Sequence, residues 1–293
     1  MSGRPAFVPP ERFVERAWAI IEGRTDDWVV PEVRDAATVV LLRDTAEGIE
    51  VFLMRRVTTM AFAAGMHVFP GGRLDPDDHV VPLGLASSDA SEALDQRLRG
   101  APGVGAALLA AATRETFEEC GVLLVTGEAV PVAGDDRWEQ RRQALVDTDL
   151  TFSGLLHAEG LVVDTAAIRP WTHWITPAVE DRRYDTRFFV AAMPAAQEAG
   201  DVSGESDRVH WMRPAEALER WAAGDLAMMT PTSDTLRTLL PFSTAAEVLQ
   251  AADERTIVPL MPQPSLDASG ALRWMLIDAS TGESLLELGP EDV

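Results

Sequence analysis

The chain has 293 residues, 46% of them apolar and 25% charged, which is the composition of a globular protein that can bury a full core. Its formal net charge of -22 makes nucleic acids and anionic membranes unfavourable partners. All 25 basic residues are arginine, which excludes a Walker-type phosphate loop and Schiff-base chemistry, and a single cysteine, Cys120, excludes a disulfide framework.

The first part of the chain contains predicted strands and helices separated by polar segments. Apolar residues at helical spacing predict a helix over residues 10–22, which ends at Gly23. Two β-branched and apolar runs, "ATVVLLRD" and "EVFLMRRV", predict a β-hairpin, and a third strand is expected near "GMHVFP". A polar segment over about 79–105 contains the short helix "SEALDQRL" and is interpreted as an insertion. A helix over 106–120 and a strand "VLLV" follow.

The second part begins with another polar, partly helical segment over about 128–170, which is also interpreted as an insertion. Strands are expected at "THWIT", "YDTRFFVAAM" and "VHWM", and a helix at "RPAEALERWAAG". Two further helices are expected at "SDTLRTLL" and "STAAEVLQAADE", the second with a capping box between Thr244 and Glu247. The predicted organisation is an N-terminal helix and linker over 1–34, a main domain over 35–225, and a helical C-terminal extension over 226–293 that packs on it.

A cluster of glutamates lies in "TRETFEECGV", at Glu115, Glu118 and Glu119. On a helix these side chains share one face, and the opposite face, at positions 106, 110, 113 and 117, is expected to press on a sheet. Carboxylates this close repel one another, whereas Mg²⁺ or Mn²⁺ would hold them together and bind phosphate oxygens as well. Arg114 flanks the cluster and is expected to orient one carboxylate. The alternative is a solvated helix face whose acids only keep the protein soluble.

Ahead of this helix stands "FPGG", whose two glycines let the backbone approach a ligand closely and turn a carbonyl toward a metal. Together with "RETFEECGV" it resembles the Nudix box, in which a glycine precedes a glutamate by six positions and an Arg-Glu, Glu-Glu and Gly pattern follows. Counting from Gly72 places Asp78 at that first glutamate. Counting back from Arg114 places Ala106 there, because an inserted segment interrupts the motif.

The interrupted box, together with "LMRR", "GMHVFPGG" and "WITPAVEDRRYDTRFFVAA", is similar to the Nudix branch that includes peroxisomal coenzyme A diphosphatases. The resemblance implies an α/β fold, an α/β/α sandwich with a mixed sheet. It implies hydrolysis of a phosphoanhydride bond in a nucleoside diphosphate linked to another moiety, with coenzyme A or acyl-CoA preferred. The implied site holds Mg²⁺ or Mn²⁺ on the Gly71 carbonyl, Glu115, Glu118 and Glu119, with Arg114 beside them and Glu115 or Glu205 taking the proton of water.

Substrate contacts are expected beside this site. The coenzyme A-cleaving relatives carry an arginine and a glycine before "FPGG", which Arg56 and Gly65 match, whereas Ala61 stands where a second arginine is expected. For Arg187 the alternative is a pair with Asp185 on the same face of a strand. The full set of expected contacts is Arg56, Gly72, Arg183, Tyr184 and Arg187.

Several functional alternatives stay open at this stage. NADH, nucleoside diphosphate sugars, dinucleoside polyphosphates and oxidised nucleotides are other substrates, and a Nudix-fold sensor that binds a nucleotide derivative without cleaving it is an alternative of a different class. The partner expected is a small-molecule diphosphate, with no nucleic acid and no membrane. No targeting segment or membrane span is recognised, so a cytoplasmic location is expected. The sequence leaves open a homodimer, and whether residues 79–105 form a lid, a specificity wall or a dimer contact.

Overall fold

The structure is a computed structural model, and it describes residues 11–24, 28–57, 65–85, 87–200 and 206–289. Glu205, one of the two candidate bases, lies outside these ranges, as does Ala61. None of the helices within them is long and apolar enough to cross a membrane. The cytoplasmic location and the homodimer stay predictions.

Helices and strands follow one another along the described ranges. The helices are α1 (Glu11–Ile21), α2 (Ser88–Leu98), α3 (Val104–Cys120), α4 (Asp136–Val146), α5 (Phe152–Glu159), α6 (Pro214–Ala223), α7 (Thr230–Leu239) and α8 (Ala245–Glu254). The strands are β1 (Val33–Thr45), β2 (Gly48–Arg56), β3 (His67–Val68), β4 (Gly71–Arg73), β5 (Val125–Gly127), β6 (Leu161–Val163), β7 (Ile168–Ile175), β8 (Arg183–Ala192), β9 (Ser206–Met212), β10 (Pro259–Leu266), β11 (Leu272–Asp278) and β12 (Ser284–Leu288). A short 3-10 helix (Pro76–Val80) follows β4.

A large mixed sheet forms the centre of the fold. Its strand order is β12-β11-β10-β7-β8-β1-β2-β3, with β4 paired to β1 and β9 paired to β2. The predicted hairpin is confirmed, because β1 and β2 pair antiparallel. Beside it, β1 and β8 run parallel from the pair of Val33 with Arg183 to the pair of Leu42 with Ala192. This long parallel pair makes the sheet mixed, as the resemblance implies.

Helices cover both faces of the sheet. Alternate residues of β1 feed two separate cores, with Val40 and Leu42 in one and Val39 and Leu41 in the other. The first core also contains buried residues of α1, α6, α7 and α8, and the second contains buried residues of α2 and α3. The fold is therefore the expected α/β/α sandwich.

Helix α3 is buried on more than one side. Leu108, Ala111 and Ala112 pack in the core beneath the sheet, whereas Ala110 and Phe117 belong to a third core with residues of α4 and α5. The expectation that the face at positions 106, 110, 113 and 117 presses on the sheet is therefore wrong for positions 110 and 117. The second insertion encloses α3 from outside, so the helix needs two apolar faces rather than one.

Both predicted insertions contain regular structure. The first contributes α2, as "SEALDQRL" predicts, and the second contributes α4, α5 and β6. The predicted strand "VLLV" is wrong over residues 122–124, which have no regular structure, and β5 begins only at Val125. Strand β5 pairs with β6 in a separate two-stranded sheet.

The C-terminal extension is helical in its first half and adds strands in its second half. Helices α7 and α8 form as predicted, and the capping box of α8 is present between Thr244 and Glu247. Beyond α8, strands β10, β11 and β12 extend the main sheet, which the sequence did not predict. They join it through β10, which pairs parallel with β7 at His173 and Trp174.

Candidate active site

A buried ion pair joins α3 to the 3-10 helix that precedes the first insertion. The Nε and Nη2 atoms of Arg114 donate to the two carboxylate oxygens of Asp78 at 3.0 and 2.9 Å, and Nη2 also donates to the carbonyl of Arg73 at 2.9 Å. Both side chains are buried. Burial alone lowers the pKa of Arg114, but its bonds to Asp78 and the charges of Glu115, Asp78 and Glu118 raise it above its ordinary value. The contact favours Asp78 over Ala106 for the position of the first glutamate of the box.

Two of the three glutamates contact the same guanidinium. The Nη1 atom of Arg114 donates to Glu115 at 2.9 Å and lies 3.4 Å from both carboxylate oxygens of Glu118. Burial raises the pKa of Glu115 to about 7, against the opposing charge of Arg114 and with a further contribution from the charge of Glu118. Burial also raises the pKa of Glu118, again against Arg114. The predicted orienting role of Arg114 thus has a geometric basis in these contacts.

The two glycines of "FPGG" lie directly against the glutamates and β1. The amide of Gly71 donates to Glu119 at 2.7 Å, and a Cβ on Gly71 would lie 2.4 Å from the carbonyl oxygen of Ala37. A Cβ on Gly72 would lie 2.2 Å from a carboxylate oxygen of Glu115. Only glycine allows this approach of backbone to carboxylate.

These residues offer the oxygen donors that a hard divalent cation prefers, because three carboxylates lie on α3 beside the two glycines of β4. Across the described part of the chain, however, no group of three or more carboxylate, imidazole or thiol side chains stands gathered as a metal site. Arg114 lies between Glu115 and Glu118, and Glu119 accepts from the Gly71 amide. Glu115 accepts from Arg114 through one of its two oxygens, which leaves the second oxygen of this carboxylate able to bind a cation while the contact persists.

Among the expected substrate contacts, Gly72 lies directly against the glutamates, at the carboxylate of Glu115. Arg56 ends β2 and is half-buried. Arg183 begins β8 and donates to the carbonyls of Thr176 at 3.0 Å and Pro31 at 3.3 Å. Tyr184 follows it, so its side chain points to the opposite face of the sheet.

Arg187 is buried on the face of the sheet that packs on α2 and α3, where it pairs with two half-buried carboxylates. Its Nη1 atom lies 2.7 Å from Asp35 and 2.9 Å from Asp185, and its Nε donates to the carbonyl of Leu98 at 3.3 Å. Asp185 also contacts His173. The alternative given for Arg187, a pair with Asp185, is therefore what the structure has. The guanidinium that was expected to bind phosphate is used inside the fold.

Two other residues with reactive side chains, Cys120 and His67, are buried in the fold. Cys120 is buried, its thiol donates to the Thr116 carbonyl at 3.0 Å, and burial raises its pKa to about 12. His67 is also buried, its Nδ1 lies 3.3 Å from the Ala227 carbonyl, and burial lowers its pKa to about 4. Each side chain thus has a backbone carbonyl as its partner.

Sequence reasoning missed two charged residues that contact the ends of α3. Asp95 of α2 accepts hydrogen bonds at the start of α3, and Arg142 of α4 donates to the carbonyl of Glu118 near its end. Both belong to the insertions, and nothing in the local sequence indicates that they contact α3.

The family described as the NUDT19 Nudix domain matches residues 88–239, just over half of the chain. Curated relatives named acyl-coenzyme A diphosphatase NUDT19 are 25% identical in Gallus gallus, over 83% of this chain and 72% of that protein, and 24% identical in Xenopus laevis, over 95% and 80%. A crystal structure of a Nudix hydrolase from Alicyclobacillus acidocaldarius is similar with a TM-score of 0.59 and 29% identity, over 76% of this chain and 97% of that one. The chain belongs to the NUDT19 Nudix domain family and is a Nudix hydrolase.

Proposed function

We propose that this protein hydrolyses the phosphoanhydride bond of a nucleoside diphosphate linked to another moiety, in a reaction that depends on Mg²⁺ or Mn²⁺. The observation that carries the proposal is the Arg114–Asp78 pair, with its hydrogen bonds of 3.0 and 2.9 Å. The pair joins the two halves of a motif that an insertion separates. It thereby supports an intact box, in which Glu115 lies against Gly72.

The proposed roles follow from where each donor lies. Glu115, Glu118, Glu119 and the Gly71 carbonyl would hold the cation, which supplies Lewis acidity at a phosphoanhydride and makes a bound water more acidic. Arg114 orients Glu115 and Glu118 beside the cation through its contacts with both carboxylates. Glu115 takes the proton from the attacking water, with Glu205 as the alternative base. The bond between phosphorus and the bridging oxygen then breaks as the water oxygen attacks in line.

We propose coenzyme A or an acyl-CoA as the substrate. The names of the relatives, acyl-coenzyme A diphosphatase, support this choice. The spacing of Arg56 and Gly65 before "FPGG" also supports it, and the Gly65 amide donates to the Arg56 carbonyl at 3.0 Å, so the two residues are joined. Arg56, Gly72, Arg183 and Tyr184 remain the proposed contacts for the substrate. Arg187 is no longer among them, because its guanidinium is paired inside the fold.

The test is a panel of diphosphates incubated with Mg²⁺, with Mn²⁺ or with a chelator. The panel contains coenzyme A, an acyl-CoA, NADH, a nucleoside diphosphate sugar and a dinucleoside polyphosphate. We expect coenzyme A and the acyl-CoA to yield 3′,5′-ADP and the corresponding 4′-phosphopantetheine, and the chelator to abolish the reaction. Cleavage of another panel member in preference would overturn the substrate, and equal turnover with the chelator would overturn the metal dependence.

A further inference from the structure

Helix α3 is electrostatically unfavourable when it is considered alone. Its N-cap is Gly103, which has no side chain, and its first turn carries no acidic residue. Its last turn carries no basic residue, while Glu115, Glu118 and Glu119 crowd its C-terminal half. A helix dipole favours the opposite arrangement, with negative charge at the N-terminus and positive charge at the C-terminus. The helix therefore needs charges from elsewhere in the chain.

The first insertion supplies the missing negative charge. The two carboxylate oxygens of Asp95 accept hydrogen bonds from the amide of Gly103 at 2.8 Å and from the amide of Gly105 at 2.7 Å. Asp95 is buried, and a Cβ on Gly105 would lie 2.8 Å from its carboxylate. Asp95 thus caps α3 from a different helix, and it does so through both oxygens.

The helix that carries Asp95 is fixed to the body of the fold. The Nε atom of Arg187, on β8, donates to the carbonyl of Leu98 at the end of α2 at 3.3 Å. Arg97, also near the end of α2, donates to the carbonyl of Ala252 on α8. Because the sheet and the C-terminal extension also hold α2, the position of Asp95 does not depend on α3 alone.

The second insertion supplies the missing positive charge. Arg142 of α4 is 2% exposed, and its Nη1 donates to the carbonyl of Glu118 at 3.0 Å. Its other nitrogens bind Glu139 at 2.9 and 2.6 Å, which orients the guanidinium. The ring of Phe117 packs edge-on against Trp138, also on α4, at 6.4 Å between centroids. The contact is to the backbone of a residue that we propose as a metal ligand.

We propose that the two insertions are braces that set the position of α3 along its axis, with Asp95 and Arg142 as positioning residues for hydrolysis. The proposal rests on the proposed function, because all three proposed carboxylate ligands lie on α3. A helix rises by about 1.5 Å per residue, so a shift of α3 by less than one residue along its axis moves its glutamates by about 1 Å. A displacement of about 1 Å at a reacting centre costs on the order of a hundredfold in rate. The sequence left three roles open for residues 79–105: a lid, a specificity wall or a dimer contact. We propose a brace in place of the lid, because α2 is bonded to the rest of the fold at both Asp95 and Leu98.

The test compares Asp95→Ala, Asp95→Asn, Arg142→Gln and Arg142→Lys with the surface controls Glu92→Gln on α2 and Arg137→Gln on α4. We measure kcat and KM with Mn²⁺ and coenzyme A, the Mn²⁺ concentration at half-maximal rate, and hydrogen exchange of α3 without metal. We expect Asp95→Ala and Arg142→Gln to lower kcat by about tenfold or more with little change in KM, and to raise the half-maximal Mn²⁺ concentration. Exchange should quicken in the first turn of α3 for Asp95→Ala and in its last turn for Arg142→Gln.

The conservative variants separate positioning from folding. Asp95→Asn keeps an oxygen that can accept from one glycine amide, and Arg142→Lys keeps a positive charge, so both should recover part of the lost kcat. If the four variants lower Tm but retain the kcat and the half-maximal Mn²⁺ concentration of the wild type, the insertions only stabilise the fold and the proposal is wrong. If the wild type cleaves no diphosphate, the proposed function fails, and the rise in Tm on adding Mn²⁺ then tests the braces. A smaller rise in Asp95→Ala and Arg142→Gln than in the wild type would support the braces, and an equal rise would overturn them.

Discussion

The guanidinium of Arg114 and the carboxylate of Asp78 meet through two hydrogen bonds of 3.0 and 2.9 Å, although 36 residues separate them in the sequence. Between them lies the whole first insertion. The pair explains how a Nudix box can be interrupted without being lost, since it is closed by a contact in space and does not depend on spacing along the chain. It also holds Arg114 where the same guanidinium reaches Glu115 and Glu118.

Loss of the Asp78 charge should be costly. Asp78→Asn leaves a buried guanidinium short of its main partner, and we expect it to lower the free energy of unfolding by about 3 kcal/mol and to reduce kcat. Urea unfolding and steady-state kinetics measure the two effects. Asp75→Asn is the matched control, because this carboxylate is largely exposed and lies 3.9 Å from Arg114, so about 0.5 kcal/mol or less is expected. Equal losses in the two variants would contradict the assignment of Asp78.

A methyl group at Gly72 should disturb the site more than the fold. In Gly72→Ala the new Cβ would lie 2.2 Å from the Glu115 carboxylate, which must move, so we expect kcat to fall by about tenfold or more. Gly270→Ala is the control, because Gly270 has a φ of +84° with nothing within 4 Å of its Cβ position. That control should lower Tm through backbone strain and leave kcat unchanged. A fully active Gly72→Ala enzyme would argue against a site at these two glycines of β4.

Metal binding should depend on pH through Glu115. Burial raises its pKa to about 7, so the folded metal-free protein retains a proton that the unfolded chain releases above the ordinary value of 4.5. Its contribution to the free energy of unfolding is therefore present at low pH and is lost as the pH rises toward about 7. A cation needs the charged carboxylate, so the rise in Tm on adding Mn²⁺ should be larger at about pH 7.5 than at about pH 5.5.

The Glu115→Gln variant is the control for this pH dependence, because glutamine does not titrate. We expect its response to Mn²⁺ to be smaller and to change less between the two pH values, although Glu118, whose pKa burial also raises, still titrates. A wild-type rise in Tm that did not change between the two pH values would show that Glu115 is not deprotonated on binding. Thermal unfolding, followed by intrinsic fluorescence, gives the rise in Tm on adding Mn²⁺ for both proteins at both pH values.

Substitution of Arg187 should affect the stability of the fold, whereas substitution of Arg56 should affect KM for the substrate. Arg187→Met leaves Asp35 and Asp185 without their partner, but their side chains are 40% and 24% exposed, so water offsets part of the loss. We expect a loss of about 2 kcal/mol in the free energy of unfolding, with KM unchanged for the folded enzyme. Arg56→Gln should instead raise KM for coenzyme A with a small effect on stability. Urea unfolding combined with KM measurement tests both. A raised KM in Arg187→Met at conditions where it is fully folded would restore Arg187 as a substrate contact.

The elements with strong local patterns could be predicted from sequence. The β1–β2 hairpin and α8 with its capping box are set by residues close together in the chain, and so is the acidic face of α3. The strand β10 could not be predicted, because Pro259, Pro262 and Pro264 each weaken a strand pattern. It forms because it pairs with β7, a partner distant in sequence.

Within the site, sequence reasoning named the glutamates and Arg114 but could not choose between Asp78 and Ala106. That choice depends on how the insertion folds back, which only the contact between Asp78 and Arg114 reveals. The same limit applies to Arg142, whose contact with the Glu118 carbonyl crosses between two helices. Charged residues in polar segments are ordinarily solvated, so their burial has no local signature.

The most direct test of the central claim is the kcat of Glu118→Gln compared with the wild type on coenzyme A in the presence of Mn²⁺. Glu118 lies 3.4 Å from Arg114 and is partly exposed, so the variant should fold normally, and circular dichroism checks that it does. We expect kcat to fall by about a hundredfold or more, because the variant loses a charged oxygen ligand. Turnover equal to that of the wild type would contradict the assignment of this acidic face as the site of metal-dependent hydrolysis.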